Sequence, residues 1–216
     1  MNSRILLISF VLVFGSLCAS SMDTTWVHKK HNEGIEVYTR KMPGSSVYQL
    51  KIKTLVPASL KTVVAVLDDV ESYHEWVYKC EDPRILEKKS DYQYVYCVHS
   101  DFPFPVSDRD VVIEYILDQD PKTKVVTTVS KAVPDYTPRK KGVVRISKFN
   151  SQYTIKPISA SETAVEYWLD TSPGGAIPSW LVNLGIAKGP SETMKGLIQQ
   201  VKKERYQVVD IPYISE

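Results

Sequence analysis

The stretch TAVEYWLDTSPGGAIPSWLVNLGIAKGPSETMKGLIQQV, residues 163–201, decides the fold because the spacing of its apolar side chains changes within it. Val165, Tyr167 and Leu169 alternate with other residues, as in a strand with one buried face. After a Pro-Gly turn, apolar residues recur at helical spacing. They are Ile177, Trp180, Leu181, Leu184, Met194, Leu197, Ile198 and Val201. The stretch therefore predicts a final strand followed by a long amphipathic helix.

Gly189 and Pro190 interrupt the middle of this predicted helix. A proline inside a helix removes a backbone hydrogen bond and kinks or opens the helix locally. The pair therefore predicts either a static kink or a hinge at which the C-terminal helix opens.

The preceding chain mostly follows the two-residue period of strands. Two strands at 35–40 and 47–55 precede a short helix, and about seven more strands follow from Arg84, with a turn expected at Asn150 and Ser151. The long C-terminal helix is the element best able to cover the apolar face of such a sheet. We therefore predict an α+β fold in which a curved antiparallel sheet of about nine strands wraps around that helix.

The composition is that of an ordinary globular protein. The 216 residues include 27 Lys and Arg against 25 Asp and Glu, so the formal net charge is only +2. This length suits one domain. A protein that binds nucleic acid through bulk charge is usually far more basic, so we predict no nucleic-acid partner.

The N-terminus has the three parts of a secretory signal. Arg4 is followed by the uncharged segment 5–17 and then by small residues. That segment is short for a membrane span, which needs about 20 residues. We predict a signal peptide over 1–21, a domain over 22–206 and a C-terminal tail over 207–216, in a secreted or periplasmic protein. The alternative is a protein anchored to the membrane by an uncleaved N-terminal segment.

Removal of the signal leaves two cysteines, Cys80 and Cys97. In an oxidising compartment an isolated pair predicts a disulfide, here across the base of a hairpin. The alternative is two free buried thiols. The four histidines do not share metal-ligand spacing with these cysteines, so we predict no metal and no other cofactor.

Five short stretches occur in the order found in a known family. They are GIEVYTR (34–40), DVESYHEW (69–76), PFPVSDRD (103–110), KGVVR (141–145) and DTSPGGAIPSWLVN (170–183). Together they resemble the START (steroidogenic acute regulatory protein-related lipid transfer) domain of the helix-grip superfamily. The resemblance implies a U-shaped sheet that grips the C-terminal helix and leaves a tunnel for one apolar ligand. In sterol-binding members an acidic and a basic residue face the cavity, and Tyr96 and Tyr115 stand at those positions here.

Several tyrosines fall on the predicted inner face of the sheet. A buried tyrosine keeps a hydroxyl that needs a partner, so such residues suit an apolar cavity with a few polar points. Ordinary core packing is the alternative for each. With residues of the neighbouring strand and the C-terminal helix, the candidate ligand-binding residues are Tyr94, Tyr96, Ile113, Tyr115, Tyr167, Trp180 and Leu184.

The segment Ser107–Asp110 carries two carboxylates and an arginine, which is a possible catalytic group. It also opens a strand, and charged networks are common away from active sites. We therefore assign Asp108 and Arg109 a structural role, fixing a turn by hydrogen bonds and an ion pair.

Three functions remain open at this point. The first is noncatalytic lipid binding or transfer by a monomer that binds one hydrophobic molecule and contacts membranes transiently. Arg139, Lys140 and Lys141 form a basic run that either touches anionic headgroups or is simply solvated. The second is a cyclase- or hydrolase-like enzyme acting on an aromatic or polyketide-like substrate, which needs an ionisable group in the cavity. The third is an interaction module with a filled core.

Overall fold

Ten strands form one curved sheet in the computed structural model, which describes residues 25–102 and 106–216. The strands are β1 Val27–Asn32, β2 Ile35–Arg40, β3 Gln49–Val56, β4 Glu81–Lys88, β5 Gln93–Ser100, β6 Arg109–Gln119, β7 Val126–Ala132, β8 Val144–Arg145, β9 Lys148–Ser159 and β10 Glu162–Ser172. Their order across the sheet is β1-β2-β3-β10-β9-β7-β6-β5-β4, all antiparallel, and the short β8 pairs in parallel with β6. The predicted α+β fold is confirmed. The signal peptide predicted over 1–21 lies outside the described residues.

The turn expected at Asn150 and Ser151 is wrong. Both residues lie inside the continuous strand β9, where Ser151 pairs with Leu169 of β10. Ser151 is buried and continues the two-residue alternation between Phe149 and Tyr153. The short polar side chain of Ser151 faces the interior of the protein, which the local sequence does not distinguish from a turn.

Helices cover the inner face of the sheet. They are α1 Leu60–Asp68, a 3₁₀ helix over Val70–Glu75, α2 Ser179–Gly185, α3 Lys188–Gln200 and α4 Glu204–Gln207. α1 begins where the Ser59 hydroxyl accepts a hydrogen bond from the Thr62 amide, and its apolar residues are buried in the core. No helix among the described residues is both long and apolar enough to cross a membrane.

The C-terminal helix is broken into α2 and α3 rather than kinked within one rod. The break falls at Ile186 and Ala187, just before the predicted interruption. Pro190 is the third residue of α3, where a backbone N–H has no partner inside the helix. The proline ring therefore destabilises the helix little at this position. Gly189 and Pro190 thus belong to the first turn of a new helix.

Residues 207–216, predicted as a tail, pack against the domain. Ile211 and Ile214 are buried, and the Tyr213 hydroxyl donates a hydrogen bond of 2.7 Å to Asp68. Gln119 of β6 also donates to the Ser215 carbonyl at 2.8 Å. The segment therefore closes one end of the core beside α1.

A carboxylate clamp joins the 3₁₀ helix to the C-terminal helices. Glu75 accepts hydrogen bonds from Lys203 Nζ at 2.6 Å and Arg205 Nη2 at 2.7 Å. These two partners lower the pKa of Glu75 from 4.5 to about 2.

The clamp predicts a loss of stability in acid. Since the folded pKa of Glu75 lies below its ordinary value, the clamp stabilises the folded state above pH 4.5 and this stabilisation is lost as the pH falls toward about 2. Urea unfolding across this range should show a smaller fall in stability for Glu75→Gln than for the parent protein. Asp91→Asn, at an exposed ion pair with Lys88, is the control and should retain the parental pH dependence. An unchanged profile in Glu75→Gln would contradict the assignment.

Candidate functional site

A cavity of about 550 Å³ lies between the sheet and the C-terminal helices. Strands β5, β6, β7, β9 and β10 supply one wall, and α2 and α3 supply another. Their inner side chains are mostly apolar or aromatic. The sheet thus leaves a space that the helices cover but do not fill.

The strand register explains which side chains line this space. Tyr96 pairs with Ile113, and Thr128 pairs with Tyr153, which in turn pairs with Tyr167. Paired residues share a face of the sheet, so an inward position on one strand places its partners inward too. The result is a row of aromatic and hydroxyl groups across neighbouring strands.

Four of the seven candidate ligand-binding residues line the cavity, namely Tyr96, Ile113, Tyr115 and Tyr167. Tyr94 is buried but does not line it, and its ring stacks on Tyr115 with centroids 4.4 Å apart. The register therefore brings most of the predicted sheet residues together at one surface.

The two candidates from the C-terminal helix lie outside the cavity, which corrects their predicted position. Trp180 is 66% exposed and Leu184 is 76% exposed. Leu181, Val182 and Ile186 line the cavity instead. The short α2 borders the cavity with one part of its apolar stripe and exposes the other part at the surface.

A buried carboxylate organises the tyrosines next to the cavity. Asp68, at the end of α1, accepts hydrogen bonds from Tyr213 at 2.7 Å, Tyr115 at 2.8 Å and Tyr94 at 3.5 Å. Burial raises the pKa of Asp68, and these three bonds oppose that rise. Asp68 itself does not line the cavity. Sequence reasoning missed this cluster because its members come from four separate elements.

The cavity walls are electrically neutral. No Asp, Glu, His, Lys or Arg lines the cavity in the described parts of the chain. Burial raises the pKa of Tyr96 and Tyr153, and it raises that of Tyr167 to about 12 and that of the Cys80 thiol to about 12. These four groups thus stay protonated at neutral pH.

The predicted disulfide is wrong in the structure, where Cys80 and Cys97 are free thiols. Cys80 lines the large cavity, whereas Cys97 lines a smaller pocket with Asp110 and Arg145. The irregular pairing of β4 with β5 sets Arg84, rather than Asp82, opposite Cys97. Cys97 lies between Tyr96 and Val98, which line the large cavity, so its side chain points to the other face of β5, whereas Cys80 precedes β4 and points into the cavity.

Asp108 and Arg109 make structural contacts, but their predicted ion pair is replaced by another. Asp108 Oδ1 accepts from the Phe102 amide at 3.0 Å, and the buried Arg109 donates to the Ser107 carbonyl. The buried ion pair of this region joins Asp110 to Arg145, with hydrogen bonds of 2.7 and 2.9 Å.

One cluster near this turn has metal-ligand chemistry. His99 Nε2 lies 3.0 Å from Asp101 and 3.7 Å from Asp108, and the candidate ligand atoms fall within 4.8 Å of one another. None of these three residues lines the cavity, so the cluster stands apart from the candidate ligand site.

A curved sheet closed by C-terminal helices over one apolar cavity defines a helix-grip protein. The chain belongs to the START domain family, whose model matches residues 16–206. The family predicted from the sequence is thereby confirmed.

Alignments with similar proteins extend over most of the chain. An uncharacterised protein of Pseudomonas aeruginosa is 31% identical over 191 residues, which cover 88% of this chain and 93% of that protein. Phosphatidylcholine transfer protein of Mus musculus is 30% identical over 174 residues, covering 77% of this chain and 78% of that protein. The crystal structure of a STAR-related lipid transfer protein from Xanthomonas axonopodis has a TM-score of 0.77 at 33% identity, covering 82% of this chain and 99% of that chain.

Proposed function

We propose that this protein binds one lipid-like molecule in the cavity and carries it without changing it chemically. The observation that carries the proposal is the cavity of about 550 Å³ with apolar, aromatic and hydroxyl walls. START family membership and the lipid transfer proteins among its relatives support lipid binding or transfer in general terms. The size falls within the range of about 300–1,000 Å³ typical of small-molecule sites.

Burial of apolar ligand surface supplies the affinity in this proposal. Each Å² of apolar surface removed from water contributes about 25 cal/mol. The buried tyrosine, serine and threonine hydroxyls add a few hydrogen-bonding points, which fix the orientation of a ligand more than its affinity.

The neutrality of the cavity favours a carrier over an enzyme. A cyclase or hydrolase needs a general acid or base within reach of its substrate. Asp68 is the buried carboxylate with a raised pKa near this region, and the Tyr94, Tyr115 and Tyr213 hydroxyls already bind it. Its side chain is thereby committed to holding α1, the sheet and the C-terminal segment together.

Native mass spectrometry of the mature protein, followed by lipid extraction, tests the proposal. We expect a monomer with one bound lipid per chain. Val182→Trp places an indole in the cavity from α2 and should abolish lipid capture, whereas Val208→Trp, at an exposed position outside the cavity lining, should not. Protein that emerges empty and takes up no fluorescent lipid would overturn the carrier function.

We infer that α2 is the part of the protein that touches a membrane during loading. Trp180 and Leu184 project outward, while Leu181 both lines the cavity and is 45% exposed. An apolar helix face with a tryptophan is typical of segments that lie in the bilayer interface. This position would let a lipid pass between the bilayer and the cavity along one helix.

Vesicle flotation tests the membrane contact. Leu184→Gln should reduce the fraction of protein that floats with phospholipid vesicles by several fold, because an exposed apolar anchor is lost. Val208→Gln removes an apolar side chain of similar exposure elsewhere and should leave flotation unchanged. Equal flotation of both variants and the parent would remove α2 from the membrane contact.

We also propose that the protein acts outside the cytoplasm, secreted or periplasmic. The support is the signal-like sequence of residues 1–21. The mass spectrum of the exported protein tests this directly, since a cleaved chain begins near residue 22 whereas an uncleaved anchor retains Arg4.

A further inference from the structure

We infer that the cavity selects an uncharged lipid, with a hydroxyl or carbonyl as its polar group, and rejects lipids that must bury a phosphate or carboxylate there. This inference rests on the proposed lipid-binding function and names the ligand class. It follows from the chemistry of the cavity walls, from the position of the nearby arginines outside the cavity lining, and from the cost of burying an unpaired anion.

Most polar side-chain groups of the walls are hydroxyls, and the Cys80 thiol and the indole N–H of Trp76, which is unpartnered within the described residues, are likewise uncharged. Thr128 and Ser130 of β7 pair across the sheet with Tyr153 and Ser151 of β9, and Tyr167 of β10 continues the row. All five residues line the cavity. Hydroxyl groups donate and accept hydrogen bonds, so they match an alcohol, an ester or a ketone without any charge.

These hydroxyls stay uncharged when the pH varies around neutrality. Burial raises the pKa of Tyr153 and brings that of Tyr167 to about 12. Serine and threonine have no accessible ionised form. The cavity therefore offers no cation to an anionic ligand group across the neutral pH range.

Two arginines lie near the cavity without forming part of its wall. Arg145 is paired bidentately with Asp110. Arg109 donates to the Ser107 carbonyl and lies 5.3 Å from the Phe102 ring, and its buried Nε has no hydrogen-bond partner among the described residues. Neither arginine lines the cavity, and the three residues 103–105 carry no ionisable side chain. A phosphate inside the described walls would therefore meet only uncharged side chains.

Burying an unpaired anion in such a site carries a large desolvation free energy. An alcohol instead replaces its hydrogen bonds to water with hydrogen bonds to wall hydroxyls. Aromatic faces such as those of Tyr73, Trp76 and Tyr96 do attract a quaternary ammonium. They provide no cation for the phosphate attached to it in a choline lipid. The wall chemistry thus separates the ligand of this chain from the one in the name of its phosphatidylcholine transfer relatives.

A matched panel of single-chain lipids tests the inference on delipidated full-length mature protein. Palmityl alcohol and monopalmitoylglycerol are compared with palmitate and palmitoyl lysophosphatidylcholine by displacement of a fluorescent lipid, at a pH where palmitate is ionised. We expect the two uncharged lipids to bind at least about a hundredfold more tightly than the two that carry an anionic group. Palmitate or the choline lipid binding as tightly as the alcohol would overturn the inference while leaving lipid binding intact. No binding of any member would overturn both.

Thr128→Lys provides a second, independent arm. It places an ammonium group in the cavity, so palmitate affinity should rise at least about tenfold relative to palmityl alcohol. Thr127→Lys is the matched control, since the neighbouring residue of β7 faces the other side of the sheet and does not line the cavity. If both variants keep the parental selectivity, or if both shift it equally, the wall charge does not govern selection and the inference fails. The lipid panel on the parent protein decides the question if Thr128→Lys does not fold.

Discussion

Replacing Asp110 with alanine should lower the free energy of unfolding by about 3–5 kcal/mol, because Arg145 would remain buried without its carboxylate. The two side chains are buried, and Arg145 donates to the Asp110 carboxylate from Nε at 2.7 Å and from Nη2 at 2.9 Å. Arg145 also donates to the Pro134 and Thr137 carbonyls, which cannot neutralise its charge. The pair holds β8 in parallel against β6, next to the turn that opens that strand.

Urea unfolding measures this effect against a surface pair. Lys53 and Glu166 lie 3.3 Å apart on β3 and β10, and both side chains are well exposed. Glu166→Ala should therefore cost less than about 1 kcal/mol. If Asp110→Ala costs no more than Glu166→Ala, the buried pair does not stabilise this corner of the sheet.

Replacing Gly196 with alanine should destabilise the protein by about 1–3 kcal/mol or more, although alanine favours helices by about 1 kcal/mol. A Cβ atom at position 196 would lie 2.4 Å from the carbonyl oxygen of Trp76. That oxygen belongs to the backbone and has little freedom to move away. The substitution should push α3 from Trp76, which lines the cavity, and so weaken lipid capture as well.

Gly185→Ala is the matched control for this second effect. A Cβ atom at Gly185 meets nothing within 4 Å, so alanine should leave stability unchanged or raise it by up to about 1 kcal/mol. Thermal or urea unfolding of both variants separates close packing from helix propensity. Equal stability of the two variants would show that the contact at Gly196 is loose.

Periodicity predicted much of the candidate site because the side chains of a strand alternate strictly between its two faces. Tyr96, Ile113, Tyr115 and Tyr167 could be placed on an inner face from local sequence alone, and they line the cavity. Trp180 and Leu184 could not be placed, because the direction of a helical stripe depends on where the helix is broken and on what covers it. The same limit applies to the predicted disulfide, because the irregular register of β4 sets Arg84 rather than Asp82 opposite Cys97.

The sequence alone does not predict interactions between segments that lie far apart along the chain. Asp68 and Tyr213 are 145 positions apart, and Asp110 and Arg145 are 35 apart, yet each pair is hydrogen-bonded in the structure. The partner of a carboxylate or an arginine cannot be identified from the residues that surround it in the sequence. The sequence by itself determined the alternating strands, the apolar helical stripe and the family, since these depend on neighbouring residues and their order. The tertiary structure alone decided the broken helix, the free thiols and the uncharged cavity, because contacts across the sheet determine which side chains meet.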